Sequence, residues 1–171
     1  MVILLMGILG SGKTSIATLL SKGLNYKCIE LDDYVLAKTQ YKSVGEAYED
    51  KKSLWKEKEL ESTKELSIKD NMVIVCGGAM VENNLNILYF QENCQDLAII
   101  YLQTRPKTLT QRLTKLYDEF RKSSPNTVLK RMEKYYDRRN ILYHQYADFI
   151  VNTEESTPEE ATQEIMKKLK K

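Results

Sequence analysis

Gly7, Ile8, Leu9, Gly10, Ser11, Gly12, Lys13 and Thr14 run consecutively and combine the residue types that hold a polyphosphate. The glycines let backbone N–H groups come close to phosphate oxygens, and a helix starting at the end of the run adds a partial positive charge. Lys13 is placed to reach the β and γ phosphates, and the Thr14 hydroxyl to ligate a magnesium ion that neutralises them. Ser11 and Ser15 complete the cradle. The pattern needs a strand before it and a helix after it. Both are present, as an apolar run over residues 2–6 and a helical pattern over residues 15–22. Nucleotide binding follows, a property that kinases share with GTPases and motor ATPases.

The second group is acidic: Cys28, Ile29, Glu30, Leu31, Asp32, Asp33. In an extended chain Glu30 and Asp32 project to one side and Leu31 and Asp33 to the other. Two carboxylates facing a phosphate loop suit two tasks. Glu30 can hold magnesium through water, and Asp32, further along the strand, can orient an attacking hydroxyl or accept its proton. Asp is also a frequent helix N-cap, and that role is expected of Asp33 ahead of a helix starting near Tyr34.

The acceptor is constrained by what the chain lacks. No arginine precedes Arg105, whereas a kinase whose acceptor already carries a phosphate needs guanidinium groups, typically between its second and third strands. An acceptor with one carboxylate or none is therefore expected.

These groups need a scaffold. Apolar runs at 2–6, 72–75, 97–102 and 149–151 alternate with helical patterns, and a further strand is expected at 26–31. This predicts a three-layer α/β domain with a parallel sheet, helices on both faces and ligands at the carboxyl ends of the strands. Ser43 with Glu46 forms a capping-box pattern, and Thr157 with Pro158, Glu159 and Glu160 marks the start of the last helix. Residues 118–126 are polar and read either as a lid over the site or as an ordinary helix connection. The 171 residues are the size of one domain.

The 26 Lys and Arg against 24 Asp and Glu leave a net charge of +2, without the basic field that nucleic-acid binding needs. The run Lys167, Lys168, Lys170, Lys171 reads as the solvated end of a helix. Cys28, Cys76 and Cys94 are odd in number and widely spaced, which points to a reducing cytoplasm and to neither disulfides nor zinc. The first apolar run is too short for a signal-peptide core, and no later stretch suits a bilayer span.

Several further segments make the chain similar to the shikimate kinase family. The family's Asp-x-Asp appears as Glu30-Leu31-Asp32, its Phe-Arg-x-x-Glu as Trp55-Lys56-Glu57-Lys58-Glu59, and its Gly-Gly-Gly as Gly77-Gly78-Ala79. Arg138-Arg139-Asn140-Ile141-Leu142-Tyr143 followed by Ala147-Asp148 resembles its Arg-x-x-Leu-Tyr and Ala-Asp elements. The resemblance implies a five-stranded sheet in the order 2-3-1-4-5 and a monomer that uses ATP and magnesium to convert shikimate to shikimate 3-phosphate in aromatic amino acid biosynthesis. It also implies that Arg139 and Lys56 hold the acceptor carboxylate, that the amides of Gly77 and Gly78 lie beside the acceptor, and that Arg112 and Pro158 sandwich adenine. An acceptor-binding segment over about residues 33–62 is implied as well. A planar guanidinium grips a carboxylate by two parallel bonds, so Arg139 would be the main anchor and Lys56 a single-point partner.

The chain departs from the family in places. Glu30 stands for an Asp, Lys56 for an Arg and Ala79 for a Gly, and the lid's Arg-Pro is missing, with Arg121 the lid-region arginine left to act on the γ-phosphate. Two further readings stay open. Gly77 and Gly78 suit either ligand approach or a tight turn, and Trp55 suits either a core position or a wall of the acceptor site. Rival functions are a kinase of the same fold acting on another hydroxy acid or polyol, and a nucleotide-binding domain without transfer.

Overall fold

Val2–Met6 forms β1, and all of its side chains are buried: Val2, Leu4 and Met6 enter one core, Ile3 and Leu5 another. A strand that alternates between two cores must lie in the middle of a sheet covered on both faces. The computed structural model describes residues 1–170, so Lys171, the last of the basic run, lies outside them. The other strands are β2 (Lys27–Glu30), β3 (Met72–Val75), β4 (Leu97–Gln103) and β5 (Phe149–Asn152). All pairings are parallel and the order is β2-β3-β1-β4-β5, with Leu4 of β1 level with Ile74 of β3 and Ile99 of β4.

The helices are α1 (Lys13–Leu24), α2 (Leu31–Leu36), α3 (Val44–Ser67), α4 (Asn84–Asn93), α5 (Pro106–Leu116), α6 (Asp118–Arg121), α7 (Pro125–Tyr146) and α8 (Pro158–Leu169). On one face α1 and α8 supply Ile16, Ala17, Leu20, Ala161 and Ile165. The remaining helices cover the other face with Leu31, Val35, Trp55, Phe90, Leu113, Phe120 and Tyr143 among others. Each such fully buried aliphatic or aromatic side chain contributes roughly 1.5–3 kcal/mol. From β1 the chain goes first to β2 and β3 on one side and then to β4 and β5 on the other, which opens a crevice at the carboxyl end of β1. Among the described residues, no helix is long and apolar enough to cross a membrane.

The caps follow the expected chemistry. Thr157 Oγ1 accepts from the Glu160 N–H at 3.2 Å while Glu160 accepts from the Thr157 N–H at 2.8 Å, so the capping box is complete. Ser43 Oγ accepts from the Glu46 N–H at 3.1 Å, but the Glu46 carboxylate reaches back one residue further, to the N–H of Lys42. α3 bends at Lys51, where φ is −141° and ψ 76°.

Two expectations are corrected. The extended run does not reach Asp32: β2 ends at Glu30, level with Val75, and α2 begins at Leu31 rather than near Tyr34. β2 is an edge strand, and once β3 turns away its backbone has no further partner, whereas a helix satisfies its own. Asp32 and Asp33 then fall in the first turn, where carboxylates complement the helix dipole, and Asp33 does not act as N-cap. Residues 118–126 connect α5 to α7 through the short α6, with residues 122–124 outside any helix. Phe120, buried among the core residues, anchors α6, and Ser124 caps α7 by accepting from the Thr127 N–H at 3.2 Å.

Candidate active site

β1 ends in the glycine loop. Gly12 stands at the start of α1 with φ 93°, a left-handed conformation that glycine adopts without strain, and no side chain caps the helix. The first-turn N–H groups are thereby left for an anion. The loop is held from outside. Thr153 Oγ1 donates to Ser11 O at 3.0 Å, and Arg112 donates through Nη1 to Gly10 O at 3.3 Å and through Nη2 to Thr153 O and Glu154 O. A cleft of about 340 Å³ opens over the loop, lined by Gly10, Ser11, Gly12, Lys13, Thr14 and Ser15 together with Arg112 and Pro158. Arg112 and Pro158, distant in sequence, are thus brought to one cleft.

Lys13 Nζ donates to Gly7 O at 2.8 Å and Ile8 O at 3.2 Å. Burial lowers its pKa to about 8 against the pull of Asp32 and Glu30, while Arg139 adds to the lowering. The Asp32 carboxylate is raised, mainly by burial, with Lys13 opposing and Glu30 and Asp33 adding to the rise. Glu30 and Asp32 therefore both bear on Lys13, although one ends a strand and the other starts a helix. Glu30 Oε1 is buried and has no hydrogen-bond partner among the described residues.

The turn after β3 is the floor of the second half of the site. A Cβ on Gly77 would collide with the Asp32 carboxylate, lying 3.0 Å from its Cγ, and a Cβ on Gly78 would lie 3.4 Å from Nη1 of Arg139. Gly77 thus makes room for the Asp32 carboxylate, whereas a Cβ on Gly78 would meet Arg139 in ordinary contact. Tyr143, stacked on Tyr101, donates its hydroxyl to Gly78 O at 2.7 Å and holds the turn in place. Arg139 is 12% exposed, lies 4.5 Å from the ring centre of Tyr135 and donates from Nε to Glu82 Oε1 at 2.7 Å.

Other expected residues are less central. Trp55 is buried in the core and tilted against Tyr48, with ring centres 6.1 Å apart, so the core reading holds for it. Lys56 is exposed on α3, and its charge is felt by Glu59. Arg121 does not line the cleft. Its guanidinium pairs with Asp118 at 2.6 Å on the short α6 and is half exposed.

Some groups were not singled out from the sequence. Glu59 is buried, accepts from Asn86 Nδ2 at 2.7 Å, and is pushed up to about 7, chiefly by burial. The Tyr48 phenol is pushed up to about 12 by burial, with Glu59, Asp32 and Glu82 adding to the rise. In the sequence Glu59 appears only as the last residue of the segment that resembles the family's Phe-Arg-x-x-Glu, and its spacing of one helical turn from Trp55 puts both on one face of α3. Glu82 lies in a single 3-10 turn, Met80–Glu82, and meets Arg138 and Arg139 from the distant α7, a pairing without local signal. Arg131 stacks on Phe120 at 5.5 Å and donates to the Tyr135 hydroxyl at 3.1 Å, a second guanidinium beside residues 118–126.

A parallel sheet in this order, with a phosphate loop leaving its middle strand and Lys13 facing carboxylates across the crevice, defines a P-loop phosphotransferase of small molecules. The family model described as shikimate kinase matches residues 9–170. A shikimate kinase of Chlorobium limicola is 32% identical over 176 residues, which span 96% of this chain and 86% of that protein. The crystal structure of shikimate kinase from Aquifex aeolicus superposes with a TM-score of 0.80 at 27% identity, covering 99% and 96% of the two chains. The shikimate kinase of Acinetobacter baumannii in complex with shikimate superposes with a TM-score of 0.84 at 20% identity, covering 98% and 92%. The chain belongs to the shikimate kinase family.

Proposed function

We propose that the protein transfers the γ-phosphoryl group of ATP to a hydroxyl of shikimate, giving shikimate 3-phosphate and ADP. The observation that carries this reading is the pairing of Asp32 and Arg139 across adjacent glycines, with Lys13 between them and the phosphate loop. An acceptor whose carboxylate rests on Arg139 can offer its hydroxyl to Asp32. Asp32 takes the proton as the new O–P bond forms, while Lys13 neutralises charge developing on the departing β-phosphate side. A basic guanidinium and a carboxylate of raised affinity for protons suit these two ends of a hydroxy acid.

Magnesium fits the site: the buried, unpartnered Glu30 Oε1 and the Thr14 hydroxyl are hard oxygen donors of the kind that bind this ion with phosphates and water. When bound, it would offset the negative charge of the phosphates during transfer. Gly7, Gly10, Ser11, Gly12 and Ser15 hold the phosphates, Arg112 and Pro158 flank the adenine, and Lys56 assists Arg139. Residues 33–62 form the acceptor segment and 118–126 the lid, whose guanidinium is assigned to Arg121. The enzyme acts as a cytoplasmic monomer.

A coupled ADP-release assay over shikimate, other hydroxy acids, polyols and nucleotides tests the reading. Turnover of shikimate is expected, and Arg139→Ala should raise its KM roughly 100-fold, the loss of about 3 kcal/mol from a charge-assisted contact. Turnover of nucleotides but not shikimate would sink the assignment.

A further inference from the structure

Arg139 does not stand alone. One carboxylate, Glu82, sits between two consecutive arginines: its Oε1 accepts from Nε of Arg139 at 2.7 Å and its Oε2 pairs with Nη2 of Arg138. Glu82 side-chain exposure is 16%, that of Arg139 is 12%, and that of Arg138 is 59%, so the bond to Arg139 is the sheltered one. A guanidinium has two edges suited to carboxylates, one made by Nε and a terminal nitrogen and one made by both terminal nitrogens. Glu82 engages Arg139 at Nε. The Tyr135 ring lies against its plane, and Nη1 faces Gly78, next to the glycine over which Asp32 lies.

We propose that Glu82 is a positioning residue for acceptor binding: it fixes Arg139 by Nε so that the terminal edge meets the acceptor carboxylate. This rests on Arg139 being the carboxylate anchor. Glu82 alone beside Arg139 would cancel the charge that attracts the acceptor. Arg138 on the other oxygen prevents this, since two guanidinium groups and one carboxylate leave a net charge of +1. The arrangement thus keeps a cation oriented without neutralising it. It also compensates for Lys56, an exposed point charge that cannot supply a planar fork.

Shikimate binding can be followed without turnover by isothermal titration calorimetry. For Glu82→Gln, the Kd and KM for shikimate are expected to rise about tenfold. The KM for ATP and the thermal midpoint should stay near wild type. Selectivity for shikimate over its methyl ester, measured as the ratio of kcat/KM values, should fall by a similar factor, because only the charged carboxylate uses the oriented edge. Glu82→Asp, which keeps the charge, should recover part of this selectivity.

An unchanged or lower Kd for Glu82→Gln would overturn the proposal, the lower value showing that Glu82 competes with the acceptor. An equal loss for shikimate and methyl ester with a lowered thermal midpoint would also overturn it, as a merely structural effect. Wild-type protein that binds no shikimate, or Arg139→Ala that binds it normally, would instead remove the anchor reading and the proposal with it.

Discussion

The two halves of the site are made of different material. The phosphate half is backbone: a loop of three glycines, the start of α1, and carbonyls clamped by Thr153 and Arg112. The half proposed to take the acceptor is side chains, with Asp32 from the start of α2, Glu59 from α3, Glu82 from the turn after β3 and Arg139 from α7. Backbone donors act wherever the chain is bent correctly, so the first half is set locally. Partly buried charges act on one another, so every member of the second half depends on the rest. Lys13 belongs to both, which is why its ammonium feels Asp32, Glu30 and Arg139 at once.

Changes at the junction should have the largest effect. Asp32→Asn keeps the shape of the carboxylate and removes its basicity, so kcat should fall about 10²–10⁴-fold with nucleotide affinity little altered. Steady-state kinetics with a parallel nucleotide titration checks this, and a matching loss of nucleotide affinity would mean that the halves are not separable. Gly77→Ala should come next. Its methyl group would displace the Asp32 carboxylate without touching the phosphate loop, and kcat should fall roughly 10–100-fold. Near-normal turnover by a folded Gly77→Ala protein would show that Asp32 need not sit over the turn.

The phosphate half has a pH signature of its own. The empty protein holds Lys13 at about 8, so its ammonium is present below that pH and is lost above it. Where the bound phosphates keep the ammonium charged, nucleotide binding must take up a proton. Kd for ADP should then weaken by up to about tenfold per pH unit above 8. Calorimetry in buffers of different ionisation enthalpy reads that proton directly, and a flat Kd between pH 7 and 9 would contradict the coupling.

The smallest effect is expected from Glu59, which touches stability more than turnover. Its carboxyl is raised from 4.5 to about 7 in the folded protein. Between those values the folded state keeps a proton that the unfolded state has released, so stability is greatest below 4.5 and falls as pH rises towards 7. Glu59→Gln keeps an acceptor for Asn86 and removes the titration. At pH 8 it should stabilise the protein by roughly 1–3 kcal/mol, and the thermal midpoint should lose its decline between pH 4.5 and 7. An unchanged pH profile would mean that Glu59 stays ionised, a partner to Lys56 rather than a buried acid.

How much of this was legible in the sequence follows from the same division. The glycine loop, its flanking strand and helix and the caps at Ser43 and Thr157 depend on residues close in the chain, and the structure has them where their spacing places them, whereas the strand order, which the family resemblance implied, joins strands far apart in sequence. The run from Glu30 to Asp33 misled because alternation assumes a strand partner, and β3 ends opposite Glu30. Residues 118–126 hold a short helix because one apolar residue, Phe120, reaches the core from a polar neighbourhood.

By itself, then, the sequence determined the class of chemistry: a triphosphate loop, a carboxylate near its end and no guanidinium for a phosphorylated acceptor. Tertiary structure alone decided which charges meet. Glu82 faces Arg138 and Arg139 across more than 50 residues of chain, with separations of 56 and 57. Asp32 lies against Gly77 although 45 residues separate them in the chain. Electrostatic interaction in a partly buried site depends on distance and exposure, and neither is a property of residue order.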